Sequence, residues 1–440
     1  MENILNNCLK HADSAEIIHV QIEGMPVKFE SNKLKCIRLK ETEGIGLRVI
    51  QQGRIGFSST TARGATSNPD KGEELIAHAI ESATFGEKAR FAFPSQAGIV
   101  VQDIRIFDEE TSLLSAEELK NMGEEIINCI LEKEPDIQCG LEINRAISTI
   151  RCLNSSGMDI SYRKSYLGIS VDALLVSGQN LIWVFDGEWS GKYSEESIKR
   201  IPERLIAALS LTKRDAVIKT GTMPVIFTPH AVSTLLEPLE LGINGKMVQK
   251  GVSPLGGKMG QMILDCRLSI FDDATIDLAL NSCPIDDEGI PTSRLPLIEK
   301  GILKNYLFDL QTAGLMNSKS TGNGYRGFDT LPSPHCSNLV IQPGEMSMNE
   351  MIKQMKNGLI VQQVIGGGQG NVLAGEFSVN VDLGFKVENG EIVGRIKDTM
   401  IAGNSYEILK HMVEIGSEVS YYDNIFTPPL WVDGVSVVGG

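Results

Sequence analysis

From residue 16 to residue 59 the chain alternates apolar and polar positions in short β-branched runs broken by glycine. The runs Ile17-Ile18-His19-Val20, Lys35 to Leu39, Gly44 to Ile50 and Ile55-Gly56-Phe57 predict strands with one face turned inward. The period then lengthens. Asn68-Pro69-Asp70 opens a helix to about Ala83, because proline suits a first helical turn. Ser115-Ala116-Glu117-Glu118 is a capping box, followed by Leu119, Met122, Ile126, Ile127 and Ile130 at helical spacing. A third helix spans about Ser194 to Leu211, and alternating strands such as Leu181-Ile182-Trp183-Val184-Phe185 lie before it. Past Lys213-Arg214-Asp215 the chain becomes β-rich and dense in glycine, with few helices after one at Ala231 to Leu241. Strands, helices and strands without a βαβ rhythm predict an α+β fold. The expected division is an N-terminal α+β domain over 1–218 and a β-rich C-terminal domain over 219–440.

Composition narrows the function. A chain of 440 residues exceeds one ordinary core, and 42% hydrophobic with 22% charged residues is globular composition. No apolar run reaches membrane-helix length, and the first residues lack the pattern of a signal peptide, so a cytoplasmic protein is expected, with no membrane partner. A formal net charge of −15 opposes affinity for nucleic acid. Eight scattered cysteines without a CxxC pair are expected as buried small hydrophobes rather than disulfides.

Several motifs fail on their surroundings. Gly322-Asn323-Gly324-Tyr325-Arg326-Gly327 spells GxGxxG, but Pro332 and Pro334 forbid the helix a dinucleotide site needs. Gly251 to Lys258 approaches a phosphate loop, yet Met259 stands where Ser or Thr is required. The six histidines show no zinc spacing; adjacent His335-Cys336 supplies two ligands at most. Asp286-Asp287-Glu288-Gly289 lacks the alternating oxygens of a calcium loop and is expected to be a solvated turn, with Gly289 at positive φ.

That acidic turn continues as Ile290-Pro291-Thr292 and then Leu297-Ile298-Glu299-Lys300-Gly301-Ile302-Leu303-Lys304-Asn305-Tyr306-Leu307-Phe308-Asp309. The stretch resembles the DDEGxPT…LIExGxLxxYLxD signature of the TldD/PmbA family, once named as modulators of DNA gyrase. Further matches are Ser320 to Gly324, Ser337-Asn338-Leu339, Gly375-Glu376-Phe377-Ser378, Gly384 to Gly390, and Pro428-Pro429-Leu430-Trp431-Val432. Near the start, Gly44-Ile45-Gly46-Leu47-Arg48-Val49 and Gly53-Arg54-Ile55-Gly56-Phe57 resemble the family's first signature.

The resemblance implies a heterodimeric metallopeptidase acting on unfolded peptides. Its catalytic member, TldD, carries HExxxH on a helix and a zinc-binding cysteine near the C-terminus. Aligned on Gly242 and Gly245, those histidines become Leu236 and Leu241 while Glu237 remains, and the last cysteine here is Cys336. The chain therefore resembles PmbA (TldE), the partner without metal. No zinc or other cofactor is expected on it, and its expected partners are a TldD-like subunit, an unfolded peptide and, when alone, a second copy. Gly322, Asn323, Gly324, Gly375 and Glu376 are the candidate peptide-binding residues, since glycine lets another backbone approach. Two alternatives remain open: a hydrolase built from Glu237, Glu240, His335, Cys336 and Glu376, or a protein-binding regulator of DNA gyrase.

Overall fold

The computed structural model describes residues 1–61, 69–95, 101–178, 180–367 and 370–439. The first part contains helix α1 (Glu2–Cys8), strands β1 (Ser14–Glu30), β2 (Lys33–Ile37), β3 (Lys40–Gln51) and β4 (Arg54–Thr60), and helices α2 (Pro69–Ala83), α3 (Glu109–Leu113) and α4 (Ala116–Lys133). Strands β5 (Gln138–Asn154), β6 (Asp159–Ser177) and β7 (Asn180–Ser190) and helix α5 (Glu195–Leu211) complete it. The strands form an antiparallel sheet in the order β4-β3-β1-β5-β6-β7, with β2 pairing the far half of β1. Several strands run well beyond the short runs legible in the sequence, because β1, β5 and β6 pair along nearly their whole lengths. The capping box at Ser115 forms as expected, and Leu119, Met122, Ile126, Ile127 and Ile130 of α4 are buried. Asn68, the expected start of α2, lies outside the described residues.

The second part contains β8 (Gly221–Phe227), α6 (Pro229–Ile243), α7 (Gly245–Gln249), β9 (Ile270–Asp273), β10 (Arg294–Glu299), β11 (Ile302–Leu303), α8 (Leu310–Leu315), β12 (Gly324–Tyr325), β13 (Ser333–Pro334) and β14 (Leu339–Ile341). There follow α9 (Met348–Gln354), β15 (Asn357–Ile365), β16 (Glu376–Glu388), β17 (Glu391–Arg395), β18 (Thr399–Asn404), α10 (Ser405–Ile408), β19 (Met412–Ile415), β20 (Ser420–Tyr422), β21 (Ile425–Thr427) and β22 (Leu430–Val438). Strands β15, β8, β22, β18 and β16 pair in that order, and β16 pairs back onto β15, closing a barrel. A second sheet runs β11-β10-β9-β14-β21-β20. The fold is α+β, as the sequence predicted. Among the described residues no helix is long and apolar enough to cross a membrane.

The barrel wall is buried on both faces. Val225, Phe227, Leu359 and Val361 join one apolar cluster with α6, while Ile226, Ile360, Phe385 and Trp431 join another with α4, α5 and the first sheet. Unbroken apolar runs such as Val225-Ile226-Phe227 follow from two-sided burial. The second cluster crosses residue 218, so both parts of the chain share core.

The acidic turn departs from expectation. Asp286 and Glu288 are buried, at 2% and 0% exposure, and not solvated. The reason lies 240 residues upstream. On β3 the alternation of Gly44, Gly46 and Arg48 turns all three to one face, opposite Ile45, Leu47 and Val49, which pack with α1 and α2. The Phe328 ring lies against Gly44, and a Cβ on Gly46 would sit 2.2 Å from the Phe328 carbonyl oxygen. Arg48 then reaches the turn: its Nη1 donates to Glu288 at 2.6 Å, and its Nη2 lies 2.9 Å from Glu16 of β1. Arg326 Nη2 lies 2.7 Å from the same Glu16 oxygen. The rings of Phe91 and Phe93 stand 4.8 and 5.1 Å from the Arg48 guanidinium carbon. Glu288 also accepts the Leu310 N–H at 2.7 Å, and Asp286 accepts from Glu288, Ile290 and Gly324 backbone N–H groups. Burial first, then the Glu288 charge, pushes the Asp286 carboxyl well above its ordinary range. Gly289 does take the positive φ, +81°.

Replacing Arg48 by methionine leaves two buried carboxylates without their shared cation. We expect a loss of about 3–5 kcal/mol in urea unfolding, partly recovered when Glu16→Gln and Glu288→Gln are added. A loss within experimental error would show the cluster to be solvated.

Candidate functional site

Helix α6 opens with Pro229 at its first turn and runs to Ile243 through Pro238. One face, Leu235, Leu236, Leu239 and Ile243, is buried in the barrel-side core. The opposite face carries Ser233, Glu237 and Glu240 at i, i+4 and i+7, which line a groove of about 390 Å³. Gly366 and Gly367, beyond the end of β15, form one wall with Val372 and Glu376. Asp423 and Asn424, in the turn between β20 and β21, form another. Burial pushes the Glu240 carboxyl up to about 7, helped by the charges of Asp272, Glu237 and Asp423. Burial likewise raises Asp423.

The candidate residues separate into groups. Glu237, Glu240 and Glu376 meet in this groove. His335 and Cys336 line a different cavity, although the Cys336 thiol is held far above its usual range by burial and then by the charges of Glu240 and Asp272. Asn323 is 1% exposed and donates to Asp272 at 2.6 Å and to the His335 carbonyl at 3.0 Å. Asp272 in turn accepts from the Ser337 N–H and hydroxyl, at 2.6 and 2.8 Å, and burial raises its carboxyl to about 6. The space beside Gly322, Gly324 and Gly375 is taken by the chain itself: a Cβ there would meet Pro291 O, Glu288 Oε2 and Asn404 Oδ1 at 2.4–2.6 Å. Gly366, at φ +82°, and Gly367 face open space instead. Gly368 and Gln369 lie outside the described residues. Asp423 and Asn424 carry no sequence signal, being nearly two hundred residues from α6 in the chain; the polar spacing of Ser233, Glu237 and Glu240 is itself the signal of a groove-facing side of the helix. The cysteines are all free; Cys8, Cys139, Cys152 and Cys283 are buried, but Cys129 and Cys266 are exposed, against expectation.

Comparison with known proteins fixes the family. The model of the PmbA/TldA metallopeptidase C-terminal domain matches residues 220–439, half of the chain, and the model of PmbA/TldA metallopeptidase domain 1 matches residues 15–83. The chain belongs to the PmbA/TldD family. An uncharacterized protein of Methanocaldococcus jannaschii is 26% identical over 442 aligned residues, covering 99% of both chains. A metalloprotease TldD homolog of Buchnera aphidicola is 32% identical over 229 residues, which cover 52% of this chain and 46% of the relative. The crystal structure of TldE from Thermococcus kodakarensis superposes over 100% of both chains with a TM-score of 0.91 at 24% identity, a likeness of fold.

A metallopeptidase family implies a metal, and the residues of α6 in this PmbA/TldD-family chain do not fit one. Leu236 is fully buried in apolar core, and Leu241 does not line the groove. Neither supplies a lone pair, and the groove offers carboxylates without imidazole or thiol. Among the described residues no group of three His, Cys, Asp or Glu side chains has metal-holding geometry.

The Glu240 carboxyl, held up near 7, sets a pH test. Between its unfolded pKa near 4.3 and about 7 the folded protein binds the extra proton, so this group's contribution falls as pH rises across that window. Glu240→Gln should therefore gain on the wild type between pH 5 and pH 8, on the order of 2 kcal/mol in urea unfolding. Parallel stability curves for the two proteins would place the Glu240 carboxylate in solvent.

Proposed function

We propose that this chain is the non-catalytic, TldE-type subunit of a two-subunit metallopeptidase, holding an unfolded peptide beside the zinc of a TldD-type partner. The observation that carries this reading is the state of α6. Its outer face keeps an open groove with Glu237 and Glu240, while the position of the first motif histidine is Leu236, sunk in the core. A zinc-bound water needs ligands to lower its pKa, and without them Glu237 has nothing to deprotonate. Gly366 and Gly367 give the groove a wall without side chains, suited to an extended backbone whose hydrogen bonds tolerate many sequences. The barrel closes on itself, so pairing of subunits is not needed to cover its edges.

Mixing the purified chain with a TldD-type subunit should give a co-eluting complex that cleaves an unfolded chain, where this chain alone is inert. Leu236→His combined with Leu241→His should create no chelator-sensitive cleavage. It should also cost about 2–5 kcal/mol, because a polar ring replaces a buried leucine. Separate elution at micromolar concentration, or turnover by either form alone, would refute the proposal.

A further inference from the structure

A second cavity, of about 620 Å³, lies where the first sheet meets the loops of the second part, and it shares no lining residue with the α6 groove. Tyr162 and Lys164 reach it from β6, Cys283 and Asp287 from the acidic turn and its approach, and Tyr325 and Arg326 from β12 and the residue after it. Its described lining residues include two permanent cations, Lys164 and Arg326, against a single carboxylate. Lys164 Nζ donates to the Leu280 carbonyl at 3.1 Å, and among the described residues no carboxylate lies within ion-pair distance of it. An ammonium has three donors, so two remain. The Arg326 side chain is 0% exposed and paired through Nη2 with Glu16, yet its Nη1 and Nε are buried without a partner among the described residues. The Tyr325 hydroxyl is buried without one too. Asp287 is the one carboxylate among the described lining residues, and its Oδ2 already accepts the Arg326 N–H at 2.8 Å.

Buried donors without acceptors are costly, and the half-buried Lys164 has only Asp287, beyond ion-pair distance and bonded to Arg326, to balance its charge in the cavity. Burial accordingly pulls the Lys164 amine below its ordinary value, and it keeps the Cys283 thiol protonated, so the thiol is no competing anion. What the cavity lacks is negative charge carried on several acceptor atoms. We propose that it binds an oxyanion, a carboxylate or phosphate group, ion-paired with Lys164 and backed by Arg326. This reading is independent of the peptidase role, since it invokes neither α6 nor a partner subunit.

Titration calorimetry on the full chain tests it with inorganic phosphate, acetate, and an N-acetylated tripeptide as free acid and as amide. At least one oxyanion should bind at millimolar concentration, and the peptide amide should not. Lys164→Gln should weaken that binding about tenfold or more, as the loss of a charge-assisted pair does. Lys164→Arg should retain most of it, and the exposed control Lys33→Gln all of it. Binding of phosphate alone would assign the site to the free ion, and binding of the peptide acid to a chain terminus; either supports an oxyanion site. Thermal unfolding of each variant checks that it is folded. No oxyanion binding by wild type, equal binding of acid and amide, or full affinity in folded Lys164→Gln would overturn the proposal.

Discussion

The Arg48 guanidinium, held between Glu16 and Glu288, is the contact on which the rest of the molecule turns. It joins the third strand of the chain to a turn 240 residues later, and it is 2% exposed. Desolvating such charges is expensive, and the expense is met only where hydrogen bonds are complete. Around Glu288 and Asp286 they are, whereas Arg48 Nη2, Glu16 Oε2 and Arg326 Nη1 and Nε have no hydrogen-bond partner among the described residues. Glu288 spends its second oxygen on the first amide of α8, and Asp286 satisfies three backbone amides of its own loop and of β12. The position of α8, the acidic turn and β12 thus follows from one arginine on the first sheet, and with them the walls of the oxyanion cavity.

Much of the architecture was legible in the sequence because it rests on local rules. The capping box at Ser115 and the helical periodicity of α4 depend on neighbours a few positions away. The acidic turn was misread for the opposite reason. Nothing near Asp286 reveals that Arg48 and Arg326 will cover it, and charged residues beside glycine ordinarily face water. The same limit applies to Gly322 and Gly324. Read locally they are room for a ligand; in the fold they are room for Pro291 and Glu288.

The α6 groove combines carboxylates with apolar residues at the positions where the resemblance puts metal ligands. The helix packs its apolar face into the barrel-side core, and the groove over its other face has an acidic floor and an open glycine wall. Leu236 contributes to core packing there, and core and chemistry therefore compete for the same residue. A buried leucine is hard to replace and a lone histidine is of no use without its companions, which is the physical ground for the proposed role beside a catalytic partner.

Zinc stoichiometry tests that role most directly. Elemental analysis of the reconstituted pair, followed by separation of the two chains and analysis of each, locates the metal without reference to activity. The account predicts about one zinc per pair, all of it remaining with the TldD-type chain. A stoichiometric zinc on this chain, alone or after separation, would contradict it.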